Sequence, residues 1–296
     1  MIRRRDFVCL ALLLSLIASL CAQNAPRTEA ANQEAIKPEA PKQEASATKD
    51  AVNPAVVPAD RMSQPWWAAR HTATLEDLKR HPDARVIVVG DSITQNYEKS
   101  KEPDENFSPI WQHFYVPRKA LNLGYSGDTT ANLLWRLQNG EVDGISPKVA
   151  VVLIGTNNTA RYQQNAVQAE AGIDAVVAEL RSRLPQTRIL LLGILPSAIS
   201  ASKTETDQAV NRYLADKYAK DARVTFLDIG PIFYEGGKLN EKIFYDARLA
   251  PPRAPLHPDT VGQRLMAEAV EPVLARLLGE DPIPPAAASP AEKSKD

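Results

Sequence analysis

The stretch RVIVVGDSITQ, residues 85–95, decides the class of fold. Residues 85–89 form a short, continuous apolar run without polar alternation, which is typical of a parallel strand buried on both faces. The glycine that follows, Gly90, permits a tight backbone, and Ser92 then lies in a strand-to-helix turn. The stretch therefore predicts the first strand-to-helix unit of an α/β protein.

Further runs of the same kind extend this unit into a sheet. The other predicted strands are residues 149–154, 188–194 and 224–229, with 120–124 as a weaker candidate. Amphipathic helical patterns lie between or after them, at residues 129–140, 166–184, 206–220 and 259–278. Strands that alternate with helices predict a parallel sheet covered on both faces. We expect one three-layer α/β/α domain with a five-stranded parallel sheet.

The amino-terminal end has the pattern of a secretory signal peptide. Residues 1–22 combine three arginines with an apolar run that is short for a membrane span, so we predict an exported protein. An uncleaved segment that tethers the protein to the membrane is the alternative, and the choice between a Sec, a twin-arginine and a lipoprotein signal stays open. The only cysteines, Cys9 and Cys21, lie in this segment, so we expect no disulfide in the exported domain.

Two further segments differ in composition from the predicted domain. Residues 23–64 and 281–296 are rich in Ala, Pro, Glu and Lys and carry few large apolar side chains. Such segments bury too little surface to offset their ordering entropy, so we predict a disordered linker, a folded domain over 65–280 and a disordered tail. The formal net charge of −1, with acids and bases mixed along the chain, predicts no nucleic-acid partner.

Polar residues follow the predicted strands, where ligands of open parallel sheets bind. Ser92 lies near a helix N-terminus, whose backbone N–H groups stabilise anions. Gly127 can offer a bare backbone N–H group, and Asn157 a side-chain amide, to a developing oxyanion. His257 precedes the last helix. A serine, two oxyanion donors and a histidine therefore map to one edge of one sheet.

Each of these residues also has an ordinary structural explanation. Ser92 suits the N-cap of a helix, and Gly127 suits a turn in which Asp128 or Thr129 caps the next helix. Asn157 suits a turn, and an isolated histidine is more often structural or solvated. The shared location of the four residues is what favours a functional site.

With these residues identified, the sequence resembles the SGNH, or GDSL-type, esterase superfamily, and most closely the catalytic subunits of intracellular platelet-activating factor acetylhydrolases. The similarity lies in GDS at 90–92, Gly127, GTN at 155–157 and His257, and in most of residues 121–158. The resemblance implies a flavodoxin-like SGNH hydrolase fold and the ability of two chains to pair as a homodimer.

The resemblance also implies the roles of the site residues. Ser92 would be the nucleophile and His257 the general base. The backbone N–H groups of Ser92 and Gly127 and the side chain of Asn157 would form the oxyanion hole.

One position departs from the family pattern. The family's fourth motif is normally Asp-x-x-His, and the position three residues before His257 is Ala254. The imidazole then needs another partner to set its tautomer, either Asp259, Asp246 or a backbone carbonyl. An active dyad or substituted triad, a slow esterase and a non-catalytic module all stay open.

The predicted function is that of an exported serine esterase that hydrolyses short-chain acyl esters, above all acetyl esters. Its substrate would be an acylated small molecule, glycan or lipid. A carbohydrate- or envelope-binding module and an O-acetyltransferase are the alternatives. The mechanism needs no cofactor, and three further histidines show no metal-ligand spacing: His71, His81 and His113.

Overall fold

The computed structural model describes residues 52–285. The predicted signal peptide, residues 23–51 of the predicted linker and residues 286–296 of the predicted tail lie outside the described part. At the centre of the described part is a five-stranded, all-parallel sheet. Its strands are β1 (Val86–Gly90), β4 (Ala120–Gly124), β5 (Val149–Leu153), β6 (Arg188–Leu192) and β7 (Val224–Leu227). The order of the strands across the sheet is β4-β1-β5-β6-β7.

Two short antiparallel hairpins, eight α-helices and six short 3-10 helices complete the described fold. The hairpins are β2 (Ser100–Lys101) with β3 (Glu105–Asn106), and β8 (Tyr234–Glu235) with β9 (Lys238–Leu239). The helices are α1 (Pro65–Arg80), α2 (Ser92–Gln95), α3 (Ser108–Phe114), α4 (Thr130–Gln138), α5 (Thr156–Ala160), α6 (Ala166–Arg183), α7 (Ala201–Tyr218) and α8 (Thr260–Leu278). Between residues 52 and 285, no helix is long and apolar enough to cross a membrane.

Two apolar clusters pack against opposite faces of the sheet. Because side chains alternate along a strand, Ile87 and Val89 of β1 join one cluster, whereas Val86 and Val88 join the other. Helices α4, α6 and α7 contribute to the first cluster, and α3 and α8 to the second. These are the three layers that the alternation of strands and helices predicts, and the strand order is that of flavodoxin-like sheets. The predicted fold class is confirmed.

The register of the sheet brings three strand ends to one level. Gly90, the last residue of β1, pairs with Gly124 at the end of β4 and with Leu153 at the end of β5. The loops that follow these neighbouring strands therefore start side by side. These loops carry Ser92, Gly127 and Asn157.

Two helical segments differ from the predictions. Helix α1 was not predicted, although its buried residues follow helical spacing: Trp67, His71, Thr74 and Leu78. Helix α7 begins at Ala201 rather than at residue 206, because Ser200 caps it and accepts a hydrogen bond from Lys203 N at 3.1 Å.

The prediction of a disordered linker is wrong for residues 52–64. Pro54–Val56 forms a 3-10 helix, and Ala55 is fully buried. Ala55 O accepts a hydrogen bond from Thr130 Oγ1 at 2.8 Å, and Ala59 N donates to Ala131 O at 3.1 Å. Hydrogen bonds to the start of α4 therefore order residues 52–64, although this segment contains no long apolar run.

The predicted tail also begins too early. Residues 281–285 belong to the described part, and Ile283 N donates to Glu271 Oε1 of α8 at 2.6 Å. The side chain of Ile283 packs against the second apolar cluster. The folded part therefore extends beyond the predicted boundary at residue 280.

Candidate active site

Ser92 lies where β1 ends and α2 begins, at the carboxyl edge of the sheet. Asp91 is the N-cap of α2, and its Oδ1 accepts a hydrogen bond from Ile93 N at 3.0 Å. The Ser92 hydroxyl is therefore not the helix cap. Gly90 is required in this turn, because a Cβ there would lie 2.3 Å from the carbonyl oxygen of Leu153.

The imidazole of His257 connects the Ser92 hydroxyl to a carboxylate. His257 Nε2 lies 3.1 Å from Ser92 Oγ, and Nδ1 lies 2.8 Å from Asp246 Oδ1. Tyr245 stacks on the ring, with 5.5 Å between the ring centroids and 20° between their planes. Ser92 is 7% exposed and His257 is 9% exposed, so the pair is largely shielded from water. Hydroxyl, imidazole and carboxylate form one continuous chain.

Asp246 is the acid that contacts the imidazole. Its Oδ2 accepts hydrogen bonds from Leu256 N at 2.9 Å and His257 N at 2.5 Å, so both oxygens are engaged. Burial raises the pKa of this carboxyl, but the hydrogen bond and charge of the imidazole and the backbone N–H groups of His257 and Leu256 together outweigh burial, and the net effect lowers the pKa. An ionised Asp246 accepts the Nδ1 proton and leaves Nε2 as the acceptor for the Ser92 hydroxyl.

The acid lies eleven residues before the histidine rather than three. The chain leaves the site after Asp246 and returns to it just before Leu256. Residues 247–254, which we call the proline-rich excursion, are mostly exposed and include Ala254. Arg248 anchors the excursion through ion pairs with Asp259 at 2.7 Å and Asp104 at 2.9 Å. Because the chain returns after the excursion, Asp246 makes the contact with His257 that Ala254, which has no carboxylate, is unable to make.

Asp259, the other acid considered from sequence, caps helix α8 instead. Its Oδ1 accepts hydrogen bonds from Val261 N at 2.9 Å and Gly262 N at 3.1 Å, and its Oδ2 pairs with Arg248. Both ring nitrogens of His257 are already engaged by other side chains. The helix N-terminus and Arg248 therefore hold Asp259, and it does not orient the imidazole.

The predicted oxyanion donors lie on the loops beside Ser92. As the first residue of α2, Ser92 has an N–H group with no carbonyl in the helix to pair with. Gly127 adopts φ +76°, and within residues 52–285 its N–H group makes no hydrogen bond. Asn157 Nδ2 donates to Asp128 O at 2.9 Å and lies 3.4 Å from Asp91 Oδ2. Asn157 thus touches the residue before Ser92 and the residue after Gly127.

The side-chain carboxyl of Asp91 has a raised pKa. Its side chain is fully buried, and burial raises its pKa to about 6 although the hydrogen bond from Ile93 N opposes the rise. This carboxyl is close to Asn157 and directly precedes the serine. Ionisation of Asp91 is therefore less favourable in the folded protein than it is for a carboxyl in water.

Two residues at the site were not found from sequence. One is Tyr245, which stacks on His257. The sequence signal for it was the stretch IFYD (243–246), in which apolar residues directly precede Asp246 and indicate that this acid is buried. Arg61 donates to Ser126 O at 2.7 Å on the loop that carries Gly127. It lies in the predicted linker, where no pattern marked it.

Comparisons with known proteins show the family to which the chain belongs. The family model described as GDSL-like Lipase/Acylhydrolase family matches residues 88–265, more than half of the chain. The chain is 33% identical over 236 residues to platelet-activating factor acetylhydrolase IB subunit alpha2 of Rattus norvegicus, covering 78% of this chain and 94% of that protein. It is 32% identical over 218 residues to subunit alpha1 of Homo sapiens, covering 73% of this chain and 85% of that protein.

A solved structure shows the same fold. A member of the lipolytic protein G-D-S-L family from Veillonella parvula superposes with a TM-score of 0.53 at 17% sequence identity. The match covers 65% of this chain and 98% of that chain.

Proposed function

Because the chain belongs to the GDSL-like lipase/acylhydrolase family, it is a carboxylic ester hydrolase, and we propose that Ser92, His257 and Asp246 are its catalytic triad. The observation that carries the proposal is the continuous chain of contacts from Ser92 Oγ through the imidazole to Asp246 Oδ1. The absence of an acid at Ala254 was the reason to consider a non-catalytic module. The contact between Asp246 Oδ1 and His257 Nδ1 supports a catalytic role instead.

The first half of the reaction acylates the serine. Ser92 Oγ attacks the ester carbonyl carbon while His257 Nε2 takes the hydroxyl proton. The carboxylate of Asp246 holds Nδ1–H and stabilises the imidazolium that forms. The tetrahedral intermediate collapses when the carbon–oxygen bond to the alcohol breaks, and Nε2 passes its proton to the leaving alcohol. The product of this half-reaction is an acyl-serine.

The second half uses the same residues with water. His257 Nε2 takes a proton from a water molecule, whose oxygen attacks the acyl-serine carbonyl. Breakdown of the second tetrahedral intermediate breaks the bond to Ser92 Oγ, which recovers its proton from the imidazolium. The carboxylic acid is released and the free serine returns.

The oxyanion of both intermediates is assigned to three donors. These are the N–H groups of Ser92 and Gly127 and the side-chain amide of Asn157. The positive φ of Gly127 presents a backbone N–H group that nothing else in the described residues uses. Donors fixed before the reaction stabilise developing charge without reorganisation, which accounts for about 10²–10³ in kcat for a single donor in a well-studied serine protease.

We assign acetyl as the preferred acyl group and the periplasm or exterior as the location. The first assignment is supported by the curated relatives, which are named platelet-activating factor acetylhydrolases. The second is supported by the arginines and short apolar run of residues 1–22. An exported esterase of this class would act on acetylated small molecules, glycans or lipids.

The test is hydrolysis of 4-nitrophenyl acetate, butyrate and octanoate by the mature protein and by Ser92→Ala. We expect turnover that depends on Ser92 and a kcat/KM that falls with acyl length. Ser197→Ala is the matched control, because Ser197 is also a buried serine and its hydroxyl makes no hydrogen bond within residues 52–285. Activity unchanged in Ser92→Ala would contradict the triad, and a preference for octanoate would contradict the acetyl assignment.

A further inference from the structure

Arg61 contacts the loop that presents Gly127 from both sides of the glycine. Its Nη1 donates to Ser126 O at 2.7 Å and to Asp128 Oδ1 at 2.9 Å. A Cβ on Gly127 would lie 3.2 Å from Arg61 Nη1, so the guanidinium lies directly against this residue. Nη2 donates to Gln64 Oε1 at 2.9 Å, which fixes the plane of the group. The arginine thus spans the residue whose N–H group is assigned to the oxyanion.

Asp128 transmits this contact to the second donor. Its carboxylate is fully buried and also accepts hydrogen bonds from Trp67 Nε1 and Arg136 Nε, each at 2.8 Å. The backbone oxygen of the same residue accepts the Asn157 amide at 2.9 Å. The position of Asp128 therefore affects the loop of Gly127 and the amide of Asn157 together.

The segment that carries Arg61 is attached to the domain along its length. Asn53 Nδ2 donates to Gln168 O at 3.2 Å, and Asn132 Nδ2 donates to Ala59 O at 2.8 Å. Ala55 packs so closely on α6 that a Cβ on Gly172 would lie 2.9 Å from the Ala55 methyl group. We call residues 53–64 the amino-terminal strap.

We propose that the amino-terminal strap is a working part of the active site and that Arg61 is a positioning residue for the oxyanion hole. The inference rests on the proposed function, because it concerns the donors assigned there. The strap lies outside residues 88–265, which match the family, and outside the domain predicted from sequence. Arg61 itself touches no reacting atom in this account and acts through Ser126 and Asp128.

Removal of Arg61 should lower kcat more than it changes KM. Trp67 and Arg136 still hold the buried carboxylate, so the loop should stay folded while Gly127 and Asn157 move from their best positions. Donors that stabilise only the developing oxyanion act on the transition state, not on bound substrate. The variant keeps all three donors, and only their positions change. We therefore expect kcat to fall about 10- to 100-fold, less than the fall of about 10²- to 10³-fold that follows removal of one donor.

The experiment compares Arg61→Met, Arg61→Lys and Arg61→Ala with wild type in the protein without residues 1–22, using 4-nitrophenyl acetate. Active sites are counted by a serine-directed fluorophosphonate label, so that kcat refers to folded, reactive protein. Arg80→Met is the matched control, because Arg80 is an exposed arginine of α1 with a surface ion pair to Asp77. We expect Arg80→Met to behave as wild type and Arg61→Lys to lie between Arg61→Met and wild type.

Chemical rescue separates positioning from folding. Methylguanidinium at low, non-denaturing concentration should raise kcat of Arg61→Ala and leave Arg80→Met unchanged, because a small cation can occupy the vacated space beside Ser126 and Asp128. A structural role alone predicts no gain, since guanidinium compounds destabilise proteins.

Two outcomes would overturn the inference. One is an unchanged kcat per labelled site in Arg61→Met, with or without a raised KM. The other is a loss of activity that is neither partly retained by Arg61→Lys nor rescued by methylguanidinium. Failure of the proposed function has a different signature, because wild type would then show no turnover that depends on Ser92.

Discussion

Replacing Asp246 by asparagine should nearly abolish turnover, whereas the same change at Asp259 should not. The new side-chain amide keeps one oxygen, which the N–H groups of Leu256 and His257 can retain. Its NH₂ group then donates a hydrogen bond to Nδ1 of the imidazole, so Nδ1 no longer carries the ring proton. The ring proton lies on Nε2 instead, and Nε2 can no longer accept the proton of Ser92.

The size of this effect follows from the contact that is lost. In the serine-protease triad the corresponding change lowers kcat about 10⁴-fold, which is about 5–6 kcal/mol at 1.36 kcal/mol per decade. Asp246 is 2% exposed and holds Nδ1 at 2.8 Å, so water is poorly placed to replace it. We therefore expect a loss of about 10³- to 10⁴-fold in kcat.

Asp259→Asn is the matched control because it makes the same chemical change in a helix cap. An asparagine still accepts the N–H groups of Val261 and Gly262, so we expect a kcat within about twofold of wild type and a stability loss of about 1 kcal/mol or less. The assay is steady-state hydrolysis of 4-nitrophenyl acetate, with urea unfolding to verify each variant. A wild-type kcat in folded Asp246→Asn, or an equal loss in Asp259→Asn, would refute the assignment of the acid.

Three further predictions concern the surroundings of the triad. The pKa of Asp91 is raised from 3.8 to about 6, so its contribution to stability is complete below about pH 4 and is lost as the pH rises through 6. Asp91→Asn should therefore be more stable than wild type at pH 8 by up to about 3 kcal/mol, with the difference vanishing at pH 4 in urea unfolding. Deletion of residues 247–254 should keep measurable esterase activity, because it joins Asp246 directly to Pro255 and leaves Leu256 N and His257 N to bind the carboxylate; loss of all activity in a folded deletion variant would contradict this. Gly90→Ala should lower the free energy of unfolding by at least about 1–3 kcal/mol, since its Cβ would meet the Leu153 carbonyl at 2.3 Å; an unaltered urea midpoint would refute this.

The sheet and most of the site were predictable because they depend on local patterns. Continuous apolar runs identify strands buried on both faces, and their carboxyl ends locate Ser92, Gly127 and Asn157 without knowledge of tertiary contacts. The register of β4, β1 and β5 then brings these residues together.

The partner of His257 was not decided by sequence because it depends on the path of a loop. Asp246 and Asp259 were both candidates, and the nearer one in sequence is the helix cap. The contact with Asp246 requires the excursion to return at Leu256, which only the three-dimensional structure shows.

The amino-terminal strap was mistaken for linker because its order comes from hydrogen bonds and from the packing of the small residue Ala55, not from large apolar side chains. Its ordering depends on Thr130, Asn132 and Gln168, all distant in sequence. The scarcity of large apolar side chains in residues 23–64 therefore predicted disorder wrongly for the strap. Arg61 became visible only through its contacts with Ser126 and Asp128.

The most direct test of the central claim is to label the nucleophilic serine covalently and to identify the labelled residue. The protein without residues 1–22 is treated with a serine-directed fluorophosphonate, and the labelled peptide is identified by mass spectrometry while hydrolysis of 4-nitrophenyl acetate is followed. We predict one label per chain, on Ser92, with activity lost in proportion to labelling and with no label in Ser92→Ala. Full labelling at another residue, or esterase activity that persists when Ser92 is fully labelled, would contradict the account.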